Sequence, residues 1–246
     1  MTVTEHLSRR ERLRAETFAE ITELAMAQVE EGGPAALSLN GIAKQMRMSG
    51  PAIYRYFASR DDLLEQLVVD VYGDLAEVLG QALEQARRRR PEARFRALAD
   101  AYRGWALEYP GKYQLILTGG LARGEQPPEI ATASQHAMAH ILTALGELAA
   151  DRPDAKVKLP PGLDAELRAW AADRGAGDAL PPWLLRLAIV SWQRLHGHID
   201  VELAGVHRAM GISSDALYRT EVDAIIAEAV TPDRAGIEKR GSSGRG

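Results

Sequence analysis

Between Leu39 and Leu63 the chain carries two short amphipathic patterns separated by a tight, polar break, and no other stretch restricts the fold as strongly. In the first pattern Leu39, Ile42, Ala43 and Met46 fall at helical spacing and are expected to face inward. A turn at Arg47 and Met48 leads to the second, about Gly50 to Phe57, with Ser49 as the expected N-cap and Pro51 in the first turn. Ile53 and Phe57 lie four apart and are expected in the core. Tyr54, Arg55 and Tyr56 crowd the same short element, which needs a tertiary reason to be so polar and aromatic. The flanking patterns are longer. One runs from about Arg9 to Glu31, with a stripe of Phe18, Ile21, Ala25 and Val29, and ends at Gly32, Gly33 and Pro34. The other opens at Ser59 and reaches about Ala86; Ser59-Arg60-Asp61-Asp62 is like a capping box with Asp62 in place of Glu.

Strand signals are almost absent from the remaining residues, where Ala, Leu, Glu and Arg recur at helical spacing. Helices are expected at about Glu92–Tyr109, Gly111–Thr118, Pro128–Ala150, Pro182–Ala204 and Ser214–Ala229. A hydrophilic connection over 151–178 has room for one short helix, about Asp164–Ala172. The expected fold is therefore all-α, with about nine or ten helices. It divides into a three-helix domain at 9–66, a larger helical domain at 67–230 and a disordered tail at 231–246. Hydrophobic residues make up 46 % of the 246, enough for a sizeable core. The absence of cysteine excludes disulfides, thiolate metal sites and a Cys nucleophile. The polar N-terminus has no apolar signal region, and the longest apolar run, Trp183 to Val190 broken by Arg186, is far short of a membrane span. A cytoplasmic protein without a membrane partner is expected.

Two short helices joined by a brief turn and packed on a longer third make a helix-turn-helix. Its second helix enters the DNA major groove and presents its N-terminal residues to base edges. Those residues would be Ser49, Gly50, Pro51 and Ala52, then Tyr54 and Arg55, with Ser59 and Arg60 at the next helix start as a phosphate site. Charge alone argues weakly for this. The net charge is −4, and residues 1–60 hold 8 Lys/Arg against 7 Asp/Glu. The arginines at 9, 10, 12 and 14 read as a solvated face more than as a minor-groove arm.

At this point the chain resembles the TetR-type transcriptional regulators. The resemblance runs from Phe18 to Leu64 and rests on LSLNGIAKQM, MSGPAIYRYF and SRDDLL in sequence. It implies an all-α homodimer on a near-palindromic operator, released by a small molecule in the C-terminal domain. It also implies phosphate contacts by Tyr54, Tyr56 and Arg60, with Gly50, Pro51 and Arg55 nearest the bases. Two positions depart from the family pattern. Arg60 stands where Lys is usual. Arg47 stands where Gly is common, which costs roughly 1 kcal/mol if the backbone is left-handed there and could add a phosphate or base contact. The tip Gly50-Pro51-Ala52 has few donors, so thymine methyl contacts, Arg47, Arg55 and DNA shape are expected to carry specificity.

A looser resemblance to one branch of the family covers 102–115 and the helix holding Trp192, His196 and Gly197. An effector pocket should be apolar with a few polar groups, and Trp105, Tyr109, Tyr113, His136, Met138, His140 and Trp192 are candidates. His136 and His140 share a helical face, but without a carboxylate or Cys partner no metal is expected, and no cofactor either. His196 is expected to make a buried hydrogen bond. The helix over 182–204 is apolar nearly all round, which suggests cover from its own core and from a partner. Dimer contacts are accordingly expected at Leu184, Leu187, Ser191, Leu195 and Ile199, with Leu217 and Ile225 from the last helix. The expected function is a ligand-responsive dimeric repressor. The alternatives are an α-helical enzyme, for which no nucleophile elbow, phosphate loop or metal signature is present, and an interaction module with a merely structural helix-turn-helix.

Overall fold

The computed structural model describes residues 8–120, 127–150, 157, 159–173 and 180–231. Most of the connection at 151–178, and the expected tail from 232 on, lie outside the described residues. In chain order the helices are α1 Arg9–Gly32, α2 Leu39–Gln45, α3 Gly50–Ile53, α4 Arg60–Gln85, α5 Pro91–Glu108, α6 Pro110–Leu115, α7 Pro128–Leu148, α8 Leu163–Asp173, α9 Pro182–Leu203, α10 Val206–Ala209 and α11 Ser214–Val230. A 3-10 turn, Pro34–Ala36, precedes α2 and a π turn, Ile116–Gly120, follows α6. No strand occurs among the described residues, as the all-α reading requires. The short α10 was not expected, and α3 stops at Ile53 instead of Phe57. The residues form two compact units, Met1–Asp74 with Tyr109–Ser134, and Leu75–Glu108 with Gln135–Gly246; α4 and α7 contribute to both.

In the first unit α1 starts at a complete capping box. The Ser8 hydroxyl accepts from the Glu11 amide at 3.2 Å, and the Glu11 carboxylate accepts from the Ser8 amide at 2.7 Å. These bonds hold the Glu11 pKa below the usual carboxylate range. Ile21, Ala25 and Val29 are fully buried, and Phe18 meets Phe57 with ring centroids 4.9 Å apart. Ser38 caps α2 by accepting from the Gly41 amide, while its own N–H donates to the Gln28 side chain on α1. The end of α2 is a Schellman turn: the Met48 amide donates to the Ala43 carbonyl at 2.8 Å and the Arg47 amide to Lys44 at 3.2 Å. Arg47 occupies the left-handed position, φ 54°, the only positive φ on a non-glycine residue among those described. Ser49 sits at the N-cap of α3 with extended backbone, but its side chain makes no capping bond, contrary to expectation. Ser59 does cap α4, accepting from the Asp62 amide at 3.0 Å. The Asp62 carboxylate reaches back to the Ala58 amide, one residue earlier than a standard box.

Arg60 is drawn inward from the start of α4. Its guanidinium donates to the Leu37 carbonyl at 3.0 Å and to the Pro34 carbonyl, both in the turn before α2. It joins the Leu37 amide on the Pro34 carbonyl, adds a charged donor to the Leu37 carbonyl and ties the first helix connection to α4. Glu30, near the end of α1, accepts from the amides of Gly111 and Lys112 and so caps α6.

In the second unit α9 packs against α5, α8, α10 and α11. Its buried residues therefore face in several directions: Trp183, Leu184, Leu185, Leu187, Ala188, Ser191, Leu195, His196 and Ile199. Charged clamps join the same helices at their edges. Arg103 of α5 donates to both carboxylate oxygens of Glu202 at 2.8 and 2.7 Å and to Asp215 at 3.2 Å. Arg186 and Arg194 share Glu228 of α11, each at 3.0 Å. Tyr218 is fully buried and donates to the Ala99 carbonyl at 2.7 Å. His196 makes the expected buried hydrogen bond, with 2.6 Å between its Nδ1 and the Tyr102 hydroxyl, and Trp192 stacks on its ring.

Three outcomes are expected. Arg47→Gly relieves the left-handed strain and should raise stability by about 0.5–1 kcal/mol in urea unfolding. Arg60→Ala removes charged hydrogen bonds from a half-exposed site and should lower it by about 1–2 kcal/mol. Burial also lowers the pKa of His140, His196 and His198 from 6.5. The unfolded chain then binds more protons below that value, so stability should fall as pH drops from about 6.5 towards the depressed folded values. Asp70, raised by burial, acts in the opposite sense but from a starting value of 3.8. A urea midpoint lower at pH 5.5 than at 7.5 would bear this out, and a flat profile would contradict it.

Candidate nucleic-acid interface

The apolar side chains of the helix pair all point one way. Leu39, Ile42, Ala43, Ile53 and Phe57 are buried, so the opposite surface consists of what remains. On it Lys44, Arg47, Ser49, Gly50, Pro51, Tyr54, Arg55 and Ser59 are exposed, and Ala52 and Tyr56 are half-buried. A side chain at Gly50 would meet nothing within 4 Å, so the tip of α3 is open to an incoming surface. The Tyr56 ring lies under the Arg14 guanidinium, 5.9 Å from the centroid, which gives both a packing role and brings one N-terminal arginine to the edge of this surface.

The charge of this surface was hidden by averaging over 1–60. From Gly32 to Arg60 the chain holds Lys44, Arg47, Arg55 and Arg60 and no Asp or Glu. The carboxylates that neutralise the longer segment all lie at or before Glu31. Lys44, on the last turn of α2, was missed as a candidate contact for that reason; a count confined to the helix pair would have found it. Arg60, expected on a phosphate, is turned partly inward: Nε and Nη2 donate to the Leu37 and Pro34 carbonyls, and Nη1 stands 3.7 Å from the Asp61 carboxylate.

The expected pocket residues are scattered in character. Trp105 and Tyr113 are buried, Met138 and Trp192 half-buried, and Tyr109 and His136 exposed. Tyr109 and Tyr113 belong to the first unit, and the other five to the second. Tyr109 borders an open groove of about 430 Å³ in the first unit, with Met26, Leu67, Asp70 and Lys112 among its walls. His140 lies against α4, its ring 3.1 Å from where a side chain on Gly80 would begin. Among the described residues no three metal-ligating groups stand together.

The dimer assignment also needs correction. Leu184, Leu187, Ser191, Leu195, Ile199 and Ile225 are at most 3 % exposed within the single chain, because α5, α8, α10 and α11 pack on the side of α9 that carries them. A second copy cannot pack on side chains that are covered in this way. Only Leu217 is exposed, at 39 %. Near it in the chain Val201, Leu203, Val206, Met210 and Ile212 are also exposed, at the C-terminal end of α9 and around the short α10.

Residues 21–67 match the family described as bacterial regulatory proteins, tetR family, and residues 95–225 match the tetracyclin repressor-like C-terminal domain. The chain is 35 % identical over 129 residues to the HTH-type transcriptional regulators Mb1846 of Mycobacterium bovis and Rv1816 of Mycobacterium tuberculosis, which covers 52 % of this chain and 55 % of theirs. It thus spans about half the length of these curated relatives. A further HTH-type regulator of Mycobacterium tuberculosis, Rv0681, is 26 % identical over 91 % of this chain and 83 % of its own. The crystal structure of the regulatory protein SCO4313 superposes with a TM-score of 0.70 at 35 % identity, covering 89 % of this chain and 98 % of that one. No helix among the described residues is long and apolar enough to cross a membrane. The family is one of transcriptional regulators and not of enzymes, and with both its helix-turn-helix and its C-terminal domain matched, the chain belongs to the tetR family of bacterial regulatory proteins.

Proposed function

We propose that the protein is a cytoplasmic, dimeric repressor that binds a near-palindromic operator and leaves it when a small molecule enters its C-terminal domain. The observation that carries the DNA-binding part is the exposed, carboxylate-free basic surface of α2 and α3. On this reading 9–66 is the DNA-binding domain and 67–230 the effector and dimer domain. Arg47 and Arg55 reach base edges or flanking phosphates, and Lys44, Ser49, Tyr54, Tyr56 and Ser59 hold the phosphate backbone. The tip of Gly50, Pro51 and Ala52 lies close to the groove floor, where it reads thymine methyls and shape. Sequence-independent attraction is then strong and base discrimination modest, so affinity should fall steeply with salt.

The dimer part is supported by the exposed apolar cluster around Leu217. A closed two-fold pair would cover it and present two reading heads to a two-fold operator. Effector binding is supported by the family alone, and its site is sought among the aromatic residues of the second unit.

DNA from the promoter beside the protein's own gene should shift on a gel at low salt, and absence of a shift by folded dimer would sink the repressor reading. Arg55→Ala should weaken binding about 5- to 150-fold, about 1–3 kcal/mol, without changing the sedimentation coefficient; unaltered binding would remove Arg55 from the interface. Leu217→Glu should give monomers in sedimentation, and a persistent dimer would place the contact elsewhere.

A further inference from the structure

α1 runs on beyond the residues that hold it to the helix pair. Phe18 packs on Phe57, and every residue from Ser8 to Glu16 before it is exposed. Counted back from the buried Val29, Ala25 and Ile21, the inward stripe passes through Phe18 to Arg14 and Arg10, in steps of three or four. The side of α1 that packs on the pair therefore turns from apolar to arginine where the helix overhangs it. At about 1.5 Å per residue, Arg10 lies about 12 Å beyond Phe18 along the helix. Arg9 and Arg12 fall on the opposite side, which they share with Glu16 and Glu20. Four arginines that are alike in sequence context thus separate into two pairs with different surroundings.

The inward pair has no anion to meet within the protein. Neither Arg10 nor Arg14 has a carboxylate partner among the described residues. Glu11, between them, accepts from the Ser8 amide, and the segment 32–60 that they overhang holds no Asp or Glu. What Arg14 does have is the Tyr56 ring, with its guanidinium carbon 5.9 Å from the centroid. A guanidinium over an aromatic face keeps its N–H donors in its own plane, where they can donate to an oxygen beside the ring. We propose that Arg10 and Arg14 hold phosphates of the DNA backbone outside the groove that α3 occupies, with Tyr56 as the platform that aims Arg14. The inference rests on the DNA-binding reading of the α2–α3 surface. An α3 seated in the groove brings the bordering phosphates beside Tyr56, and the arginine stripe continues from that ring along the flanking backbone. The planar fork of arginine suits two oxygens of one phosphate. Such contacts fix position and carry no base preference. Arg9 and Arg12, on the far side of α1, remain in solvent.

Fluorescence anisotropy reads these contacts on the full-length protein and a labelled duplex from the promoter beside its own gene. Across about 50–300 mM KCl, the slope of log affinity against log salt counts the phosphates held. Arg10→Gln with Arg14→Gln should weaken binding about 10- to 100-fold at low salt and lower the slope by about two per bound subunit. An unrelated duplex of equal length should lose the same factor. Arg9→Gln with Arg12→Gln removes equal charge from the opposite side of α1 and should lower the slope by about half of that or less. Equal effects of the two pairs, or a slope that the first pair leaves unchanged, overturn the inference. Because Arg14 also packs on Tyr56, Arg10→Gln alone provides a second reading at a fully solvated position. It should lower the slope by about one, and an unchanged slope there overturns the Arg10 contact whatever the double variant does. A folded wild type that binds neither duplex would remove the DNA-binding reading itself, and this inference with it.

Discussion

A helix of seven residues followed by one of four has no stability of its own, because helix nucleation costs more than so few hydrogen bonds return. α2 and α3 exist only because Ile42, Ala43, Ile53 and Phe57 are buried: α1 packs on α2, α2 on α3, and Phe18 of α1 meets Phe57. That dependence sets everything the pair displays. With its apolar side chains committed inward and the Schellman turn at Arg47 setting the angle between the helices, the polar side chains have one surface left. Arg60 strengthens the arrangement from the far end by joining α4 to the turn before α2. A position that the resemblance assigned to DNA thus also serves the scaffold.

α9 is the corresponding organiser of the second unit. Its apolar circumference has the physical meaning expected of it, cover on more than one side, but the covering elements are helices of the same chain. One face of α9, with Gln193, Gly197, Asp200 and Val201, stays exposed. The arginine clamps around it are part-buried and bidentate at Arg103, which lends them more weight than exposed surface pairs have. The exposed apolar side chains of this unit gather in the chain between Val201 and Leu217, from the end of α9 through the short α10 to the start of α11.

Much of this was legible before any coordinates. Helix positions followed from apolar spacing and from Gly, Pro and Ser punctuation, and the resemblance marked Arg47 as a position where Gly is common, which its left-handed backbone explains. Other features were not legible. Arg60 has the same sequence context whether it reaches outward or back to Pro34. Ser49 has the composition of an N-cap without making the bond. α10 has only one inward residue, His207, and a single histidine has no periodicity to detect. The charge of the α2–α3 surface was legible in principle but lost when it was averaged with the carboxylates of α1.

The sequence by itself determined the fold class, the helix-turn-helix and the exposed tip of Gly50-Pro51-Ala52, because each follows from local periodicity, capping and backbone preference. Tertiary structure alone decided which cations remain free and which faces of α9 and α11 are covered. Those outcomes depend on contacts between residues far apart in the chain, such as Arg60 with Pro34 and Arg103 with Glu202. Hydrophobic spacing reports that a helix has a covered face; it does not carry the identity of what covers it.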